Sequence, residues 1–242
     1  MAAEKLTILR GPTEVPIDGL LEKKVSLIGY GNQGRSHALN LRDSGIEIVI
    51  ATRTVQNATN DNFEVVTIAE AATADLVIIA LPDEIQAEIY HEQILPSLNP
   101  NAVLGFIHGL SIHYGQIVPP PQIGVVMVAP KGPGVTLRQR FLENTGVPAL
   151  LAVETENATK TARAIALGWA AGIGSGRTAV IESTLKDETE TDLFGEQAII
   201  VGGLAALVRA AYETLVTAGY PPELAYIECC HEVKQVADIM HD

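Results

Sequence analysis

From Lys24 onward the chain settles into a regular alternation of apolar runs and mixed stretches. Val25-Ser26-Leu27-Ile28 is a short apolar run stopped by glycine, the pattern of a buried strand. A helical pattern from Gln33 to about Arg42 follows and is closed by Ser44-Gly45. Further strands are predicted at Ile46–Ala51, Asp75–Ala80, Ala102–Ile107, Val125–Ala129 and Ala149–Val153. Helices are predicted at Asp83–Ile94, with Asp83 as N-cap after Pro82, and at Ala158–Ala170. Strands alternating with helices imply an α/β fold, a Rossmann-like parallel sheet covered on both faces. Residues 1–23, with Gly11-Pro12 and Pro16, read as a loose lead-in with a short helix near Leu20.

The alternation stops after about Thr184. The remainder predicts two helices, Thr189–Thr217 and Pro222–His241, separated by Gly219 and Pro221-Pro222. The expected organisation is therefore a sheet domain over 1–183 and a short all-α domain over 184–242.

Composition changes this picture little, and charge changes it more. A formal net charge of -13 repels a phosphate backbone, so general nucleic-acid binding is not expected. It leaves room for an anionic cofactor, which backbone N–H groups and one or two local cations can hold. Cys229 and Cys230 are adjacent, a poor geometry for pairing and the wrong spacing for a zinc knuckle, and read as reduced thiols. The start, Met1-Ala2-Ala3-Glu4-Lys5, lacks the apolar core of a signal peptide. The apolar stretch Ala198–Val208 is too short to cross a bilayer, so a cytoplasmic protein with no membrane partner is expected.

Gly29-Tyr30-Gly31-Asn32-Gln33-Gly34 matches G-x-G-x-x-G, directly after a strand and opening a helix, the context in which that pattern binds a dinucleotide. The end of the next strand, Ala51-Thr52-Arg53-Thr54, holds no acid for ribose hydroxyls. Arg53 and the Thr54 hydroxyl suit a 2′-phosphate instead, which favours NADP, although a solvated surface arginine remains an alternative.

Asp192 and Glu196 stand four apart on a predicted helix, and Glu228 and Glu232 repeat the spacing on the next. Like charges so placed repel by a few tenths of a kcal/mol. A divalent cation reverses that balance, and hard oxygens suit Mg²⁺. Two solvated acidic faces are the other reading. His108 ends a predicted strand, where catalytic groups of open sheets gather, and Lys131 follows another strand within a rigid Gly/Pro loop. His113, Tyr114 and Trp169 read as structural.

Together, several segments resemble ketol-acid reductoisomerase, also called acetohydroxy-acid isomeroreductase. They are the glycine turn, Leu81-Pro82-Asp83-Glu84-Ile85-Gln86, the His108–Gly115 stretch, Met127-Val128-Ala129-Pro130-Lys131-Gly132-Pro133-Gly134, Glu188-Thr189-Glu190-Thr191-Asp192-Leu193-Phe194-Gly195-Glu196-Gln197, and the helix carrying Glu228 and Glu232. The resemblance runs from about residue 18 to the last residue. It implies conversion of 2-acetolactate or 2-acetohydroxybutyrate into 2,3-dihydroxy acids with NADPH and Mg²⁺, with two ions expected, in isoleucine and valine biosynthesis. It implies a homodimer with a shared site, Asp192 and Glu196 holding metal from one subunit and Glu228 and Glu232 from its partner. It places His108, Lys131 and Glu196 in catalysis. It places Gly29, Tyr30, Gly31, Asn32, Gln33, Gly34, Arg53, Thr54, Asp83, Glu84, Ile85, Gln86 and Gly134 on the cofactor.

Two departures from the family pattern carry expectations of their own. The loop after Arg53, Thr54-Val55-Gln56-Asn57-Ala58-Thr59, is several residues short and lacks the family's phosphate-binding serines, so NADH is a possible cofactor. Family members also continue past the position of Asp242, through a knotted helical domain and a substrate-binding serine. The chain is then either truncated or a minimal variant that closes by dimer exchange. Beside the reductoisomerase stand two other readings: a metal-independent hydroxyacid or imine reductase, and a cofactor-binding module without catalysis.

Overall fold

A computed structural model describes residues 6–241. The chain divides into two compact units, Met1–Thr189 and Glu190–Asp242. The first is built on one eight-stranded sheet: β1 (Ile8–Leu9), β2 (Val25–Ile28), β3 (Ile48–Ala51), β4 (Leu76–Ile79), β5 (Val103–Phe106), β6 (Gly124–Pro130), β7 (Ala149–Thr155) and β8 (Val180–Glu182). Their order is β1-β8-β7-β6-β5-β4-β2-β3. From β2 the chain crosses to β3 on one side and then to β4 on the other. The carboxyl end of β2 is thus a topological switch point, where open α/β sheets bind ligands. Beyond β3, a third strand on that flank survives only as the parallel bridge Ile50–Val65.

The expected parallel sheet is mostly parallel, with two antiparallel pairs. The pairs β2–β3, β2–β4, β4–β5, β5–β6 and β7–β8 are parallel, whereas β6–β7 and β1–β8 are antiparallel. After β6 the excursion through the helix Gly134–Leu142 re-enters the sheet where it left, with Lys131 N–H donating to the Pro148 carbonyl at 2.8 Å. The next strand must therefore run back. Sequence pattern does not reveal this, because a strand buried on both faces is a continuous apolar run in either orientation.

Two apolar layers cover the sheet. One gathers Leu27, Ile50, Leu76, Ile78, Leu41 and Trp169, and the other Ile28, Ile79, Phe106, Tyr90 and Ile94. Trp169 is buried as expected, and its indole N–H donates to Nδ1 of the buried His37 at 3.0 Å. This contact ties the helix Ala162–Gly172 to the helix Asn32–Asp43.

Local chemistry moved several element ends. The helix expected from Ala158 begins at Ala162, because Asn157 and Glu156 take the preceding amides: Thr161 N–H donates to Asn157 Oδ1 and Ala162 N–H to Glu156 Oε2. Asp83 is not the N-cap. Pro82 holds that place, and Asp83 is the first helical residue, its carboxylate accepting from Gln86 Nε2 at 3.0 Å. The expected loop after Arg53 is a short helix, Val55–Asn60. The lead-in supplies β1 as well as a 3-10 turn at Asp18–Leu20.

The second unit continues the helix Leu185–Gly195 through a π turn, Glu196–Ile200, into the helix Gly202–Thr217. Gly219, at φ +92°, breaks the run. Pro222–Tyr226, a second π turn at Ile227–His231 and the helix Glu232–His241 complete it. Each expected helix thus contains one wide turn. The helical run Leu185–Thr217 is long and apolar enough to cross a membrane by length and composition, which the shorter stretch Ala198–Val208 had not suggested. A single such run is weak ground for a span, and the exposed apolar face of an assembly helix meets the same test.

Candidate active site

The glycine turn sits on the switch point. Gly29 has φ +102°, and a Cβ built there would stand 2.4 Å from the Ala80 carbonyl oxygen, so no other residue fits between β2 and β4. The helix Asn32–Asp43 opens immediately after, presenting its free first-turn N–H groups. Gly134 packs as closely from the other side, where a Cβ would lie 2.2 Å from the Asn32 carbonyl oxygen. Val135 N–H donates to Asn32 Oδ1 at 3.1 Å, and Gln33 Nε2 donates to the Gly132 carbonyl at 2.9 Å. The loop carrying Lys131 is thereby fastened to the phosphate turn.

Above this turn lies a cleft of about 860 Å³. Gly29 to Gly34, Thr52, Arg53, Thr54, Asp83, Ile85, Gln86 and His108 line it. Glu84 points away as an exposed residue of the same helix. The Thr52 and Thr54 hydroxyls lie 3.0 Å apart, and Thr54 N–H donates to Thr52 Oγ1, which shapes the turn bearing the exposed Arg53. Gln86 is buried, donates to the Leu81 carbonyl and accepts from Ser111 Oγ at 2.9 Å. Burial raises the Asp83 carboxyl above its ordinary range, with His108 pulling the other way.

One wall of the cleft leads into a buried ion cluster centred on Glu188, 1% exposed. Its Oε1 accepts from Lys131 Nζ at 2.7 Å and its Oε2 from the Gly109 N–H at 3.2 Å. His108 Nδ1 lies 3.0 Å from Oε2 and 3.3 Å from Oε1. Burial favours the neutral acid, but the hydrogen bonds from His108 and Lys131 outweigh it and hold the Glu188 carboxyl below the ordinary glutamate range. An ionised carboxylate only accepts, so His108 carries a proton on Nδ1.

Glu188 lay inside a quoted motif but received no role from sequence. The available signal was periodicity: Leu185, Glu188 and Thr189 form one buried face, and an acid at such a position calls for partners. Asp192 follows one turn later on the same helix, and Glu196 begins the π turn. Glu228 falls in the second π turn and Glu232 opens the helix after it. Glu196, Glu228 and Glu232 are exposed. The first unit thus brings His108, Lys131 and Glu188 together beside the cofactor residues, and in the second unit Asp192 is half-buried while Glu196, Glu228 and Glu232 are exposed.

Residues 19–179 match the model of the acetohydroxy acid isomeroreductase NADPH-binding domain, and residues 185–242 that of the ketol-acid reductoisomerase C-terminal domain. This chain belongs to the ketol-acid reductoisomerase family. A ketol-acid reductoisomerase (NADP(+)) of Campylobacter concisus is 52% identical over 224 residues, covering 90% of this chain and 66% of the relative. The structure of an NADH-preferring ketol-acid reductoisomerase from an uncultured archaeon superposes with a TM-score of 0.92 at 42% identity, over 96% of this chain and 72% of that one. This reductoisomerase-family chain thus spans about two thirds of the Campylobacter relative's length. A semialdehyde dehydrogenase NAD-binding protein from Cupriavidus necator, solved with calcium and NAD, shares the fold alone, at 19% identity and a TM-score of 0.72 over 91% of this chain and 84% of that one.

Proposed function

We propose that this chain is a working ketol-acid reductoisomerase subunit: it isomerises an acetohydroxy acid by alkyl migration and reduces the product with NADPH. The observation that carries the reading is His108, which lines the dinucleotide cleft and is bonded to the Glu188–Lys131 cluster. Redox cofactor and ionic chemistry therefore meet at one side chain.

The cofactor fits the cradle. Gly29 and Gly134 leave room only for backbone, and the helix N-terminus faces the place where a pyrophosphate belongs. Arg53 stands at the end of β3, where a 2′-phosphate belongs. NADPH supplies the hydride for the reductive step. The donor set also suits magnesium. Asp192 and Glu196 offer hard oxygens, with Glu228 and Glu232 contributed by a second copy of the chain, and two ions there would polarise the carbonyl that receives the migrating alkyl group.

The chain's own groups do the rest. Glu188 holds Lys131 as an ammonium beside the reacting centre and orients the His108 ring through Nδ1. Lys131 steadies negative charge as an alkoxide forms. Glu196, exposed at the start of its π turn, is free to relay a proton. The apolar side chains of Ile199, Ile200, Leu204 and Leu207 are exposed, which supports a homodimer in which a second copy completes the site.

The test is NADPH oxidation followed optically with 2-acetolactate, with and without Mg²⁺. Turnover that needs both is the expected result. Oxidation that proceeds equally well in chelator would move the chain to the metal-independent reductases. Tight dinucleotide binding with no turnover under any condition would leave a binding module.

A further inference from the structure

The loop after Arg53 ends on an acid that no step above uses. Asp61 follows the short helix Val55–Asn60, and its carboxylate joins that loop to the phosphate-binding helix. Tyr30 Oη donates to Asp61 Oδ2 at 2.8 Å. Arg35, in the first turn of the helix Asn32–Asp43, grips both oxygens, Nε to Oδ2 at 2.6 Å and Nη2 to Oδ1 at 2.9 Å. Arg42 donates to the Asp61 main-chain carbonyl and lies over the Phe63 ring, against whose edge Tyr30 packs. Tyr30 and Arg53 line the same cleft, so this carboxylate is bonded to one of its lining side chains.

We infer that Asp61 is a positioning residue that sets the NADPH-to-NADH preference, because its bidentate hold on Arg35 withholds one positive charge from the 2′-position of the ribose. The inference rests on the dinucleotide reading of the cleft. The Arg35 side chain is 54% exposed, so its charge is not lost to burial and only the carboxylate directs and neutralises it. A 2′-phosphate carries up to two negative charges that NADH lacks. Its binding therefore responds to the local charge balance, while the rest of the dinucleotide is common to both cofactors. Asp61→Asn keeps an oxygen for Tyr30 and removes the charge.

The decisive experiment is titration of the purified chain with NADPH and with NADH, comparing dissociation constants in Asp61→Asn, Arg35→Gln and the double variant. Asp61→Asn should shift the ratio toward NADPH by roughly three- to ten-fold at low salt, and less at high salt. Arg35→Gln should shift it toward NADH, since Asp61 then stands uncompensated. The double variant should return close to the parent. A ratio that stays put in either single variant, or moves the same way in both, overturns the inference while leaving dinucleotide binding intact. Should circular dichroism show Asp61→Asn unfolded, Arg35→Gln alone decides, an unchanged ratio counting against the inference. A parent chain that binds neither dinucleotide would remove the cleft reading itself, a result distinguishable from the others.

Discussion

The two units differ most in what they do with their apolar side chains. Met1–Thr189 closes over its own: Leu27, Ile28, Ile78, Phe106 and Trp169 have essentially no exposure. In Glu190–Asp242 only Ala225 is buried among the described residues, while Phe194, Ile199, Ile200, Val201 and Leu207 each remain more than 60% exposed. A two-layer sheet satisfies itself within one chain, whereas a few helices of this length cannot. The first unit therefore reads as a finished cofactor domain. The second leaves a large share of its apolar side chains uncovered.

The strongest way to break this contrast is Glu188→Gln. Removing the charge leaves Lys131 and His108 beside an uncharged partner in a buried setting, so turnover should fall by at least about 100-fold and stability by roughly 3 kcal/mol. NADPH affinity, read by fluorescence titration, should change little. A variant with near-parental turnover would remove Glu188 from the mechanism.

Glu196→Gln should remove Mg²⁺-dependent turnover and spare both cofactor binding and the melting temperature, because the side chain is exposed. Survival of activity at the parental level would remove the metal role of this helix.

Acid should act on the first unit through His37. Burial depresses its pKa from 6.5 to about 3, so between those values the unfolded chain binds a proton that the folded chain does not. Stability is then fully present above about pH 6.5 and declines as pH falls toward 3, by on the order of 1 kcal/mol per pH unit. Protonation must also displace the Trp169 N–H from Nδ1. Chemical denaturation at several pH values checks this, and a slope unchanged in His37→Gln would refute it. For Glu188 the sign is the same, but the window lies below the ordinary glutamate range.

Smaller effects sharpen the comparison further. Leu204→Ser with Leu207→Ser should weaken self-association about ten-fold or more, seen by sedimentation, with cofactor binding intact. Arg53→Ala should weaken NADPH several-fold more than NADH, about 1 kcal/mol for an exposed charge-assisted contact. Equal losses for the two cofactors would detach Arg53 from the 2′-phosphate.

Much of this was legible residue by residue. The glycine turn and the strand ends bearing His108 and Lys131 announce themselves through local spacing. Glu188 did not, because an acid in an acid-rich helix looks solvated until its partners, 57 and 80 positions away, are folded against it. Asp61 was hidden for a related reason: Tyr30 and Arg35 belong to a different element.

What the sequence by itself determined was the alternation of elements, the cofactor turn and the family, since these depend on period, turn chemistry and motif, all of them local. Only the tertiary structure decided the antiparallel return of β7, the wide turns under Glu196 and Glu228, and which charges meet. Strand direction and ion pairing depend on where distant segments arrive, and a buried charge is stable only beside the partner that the fold brings to it.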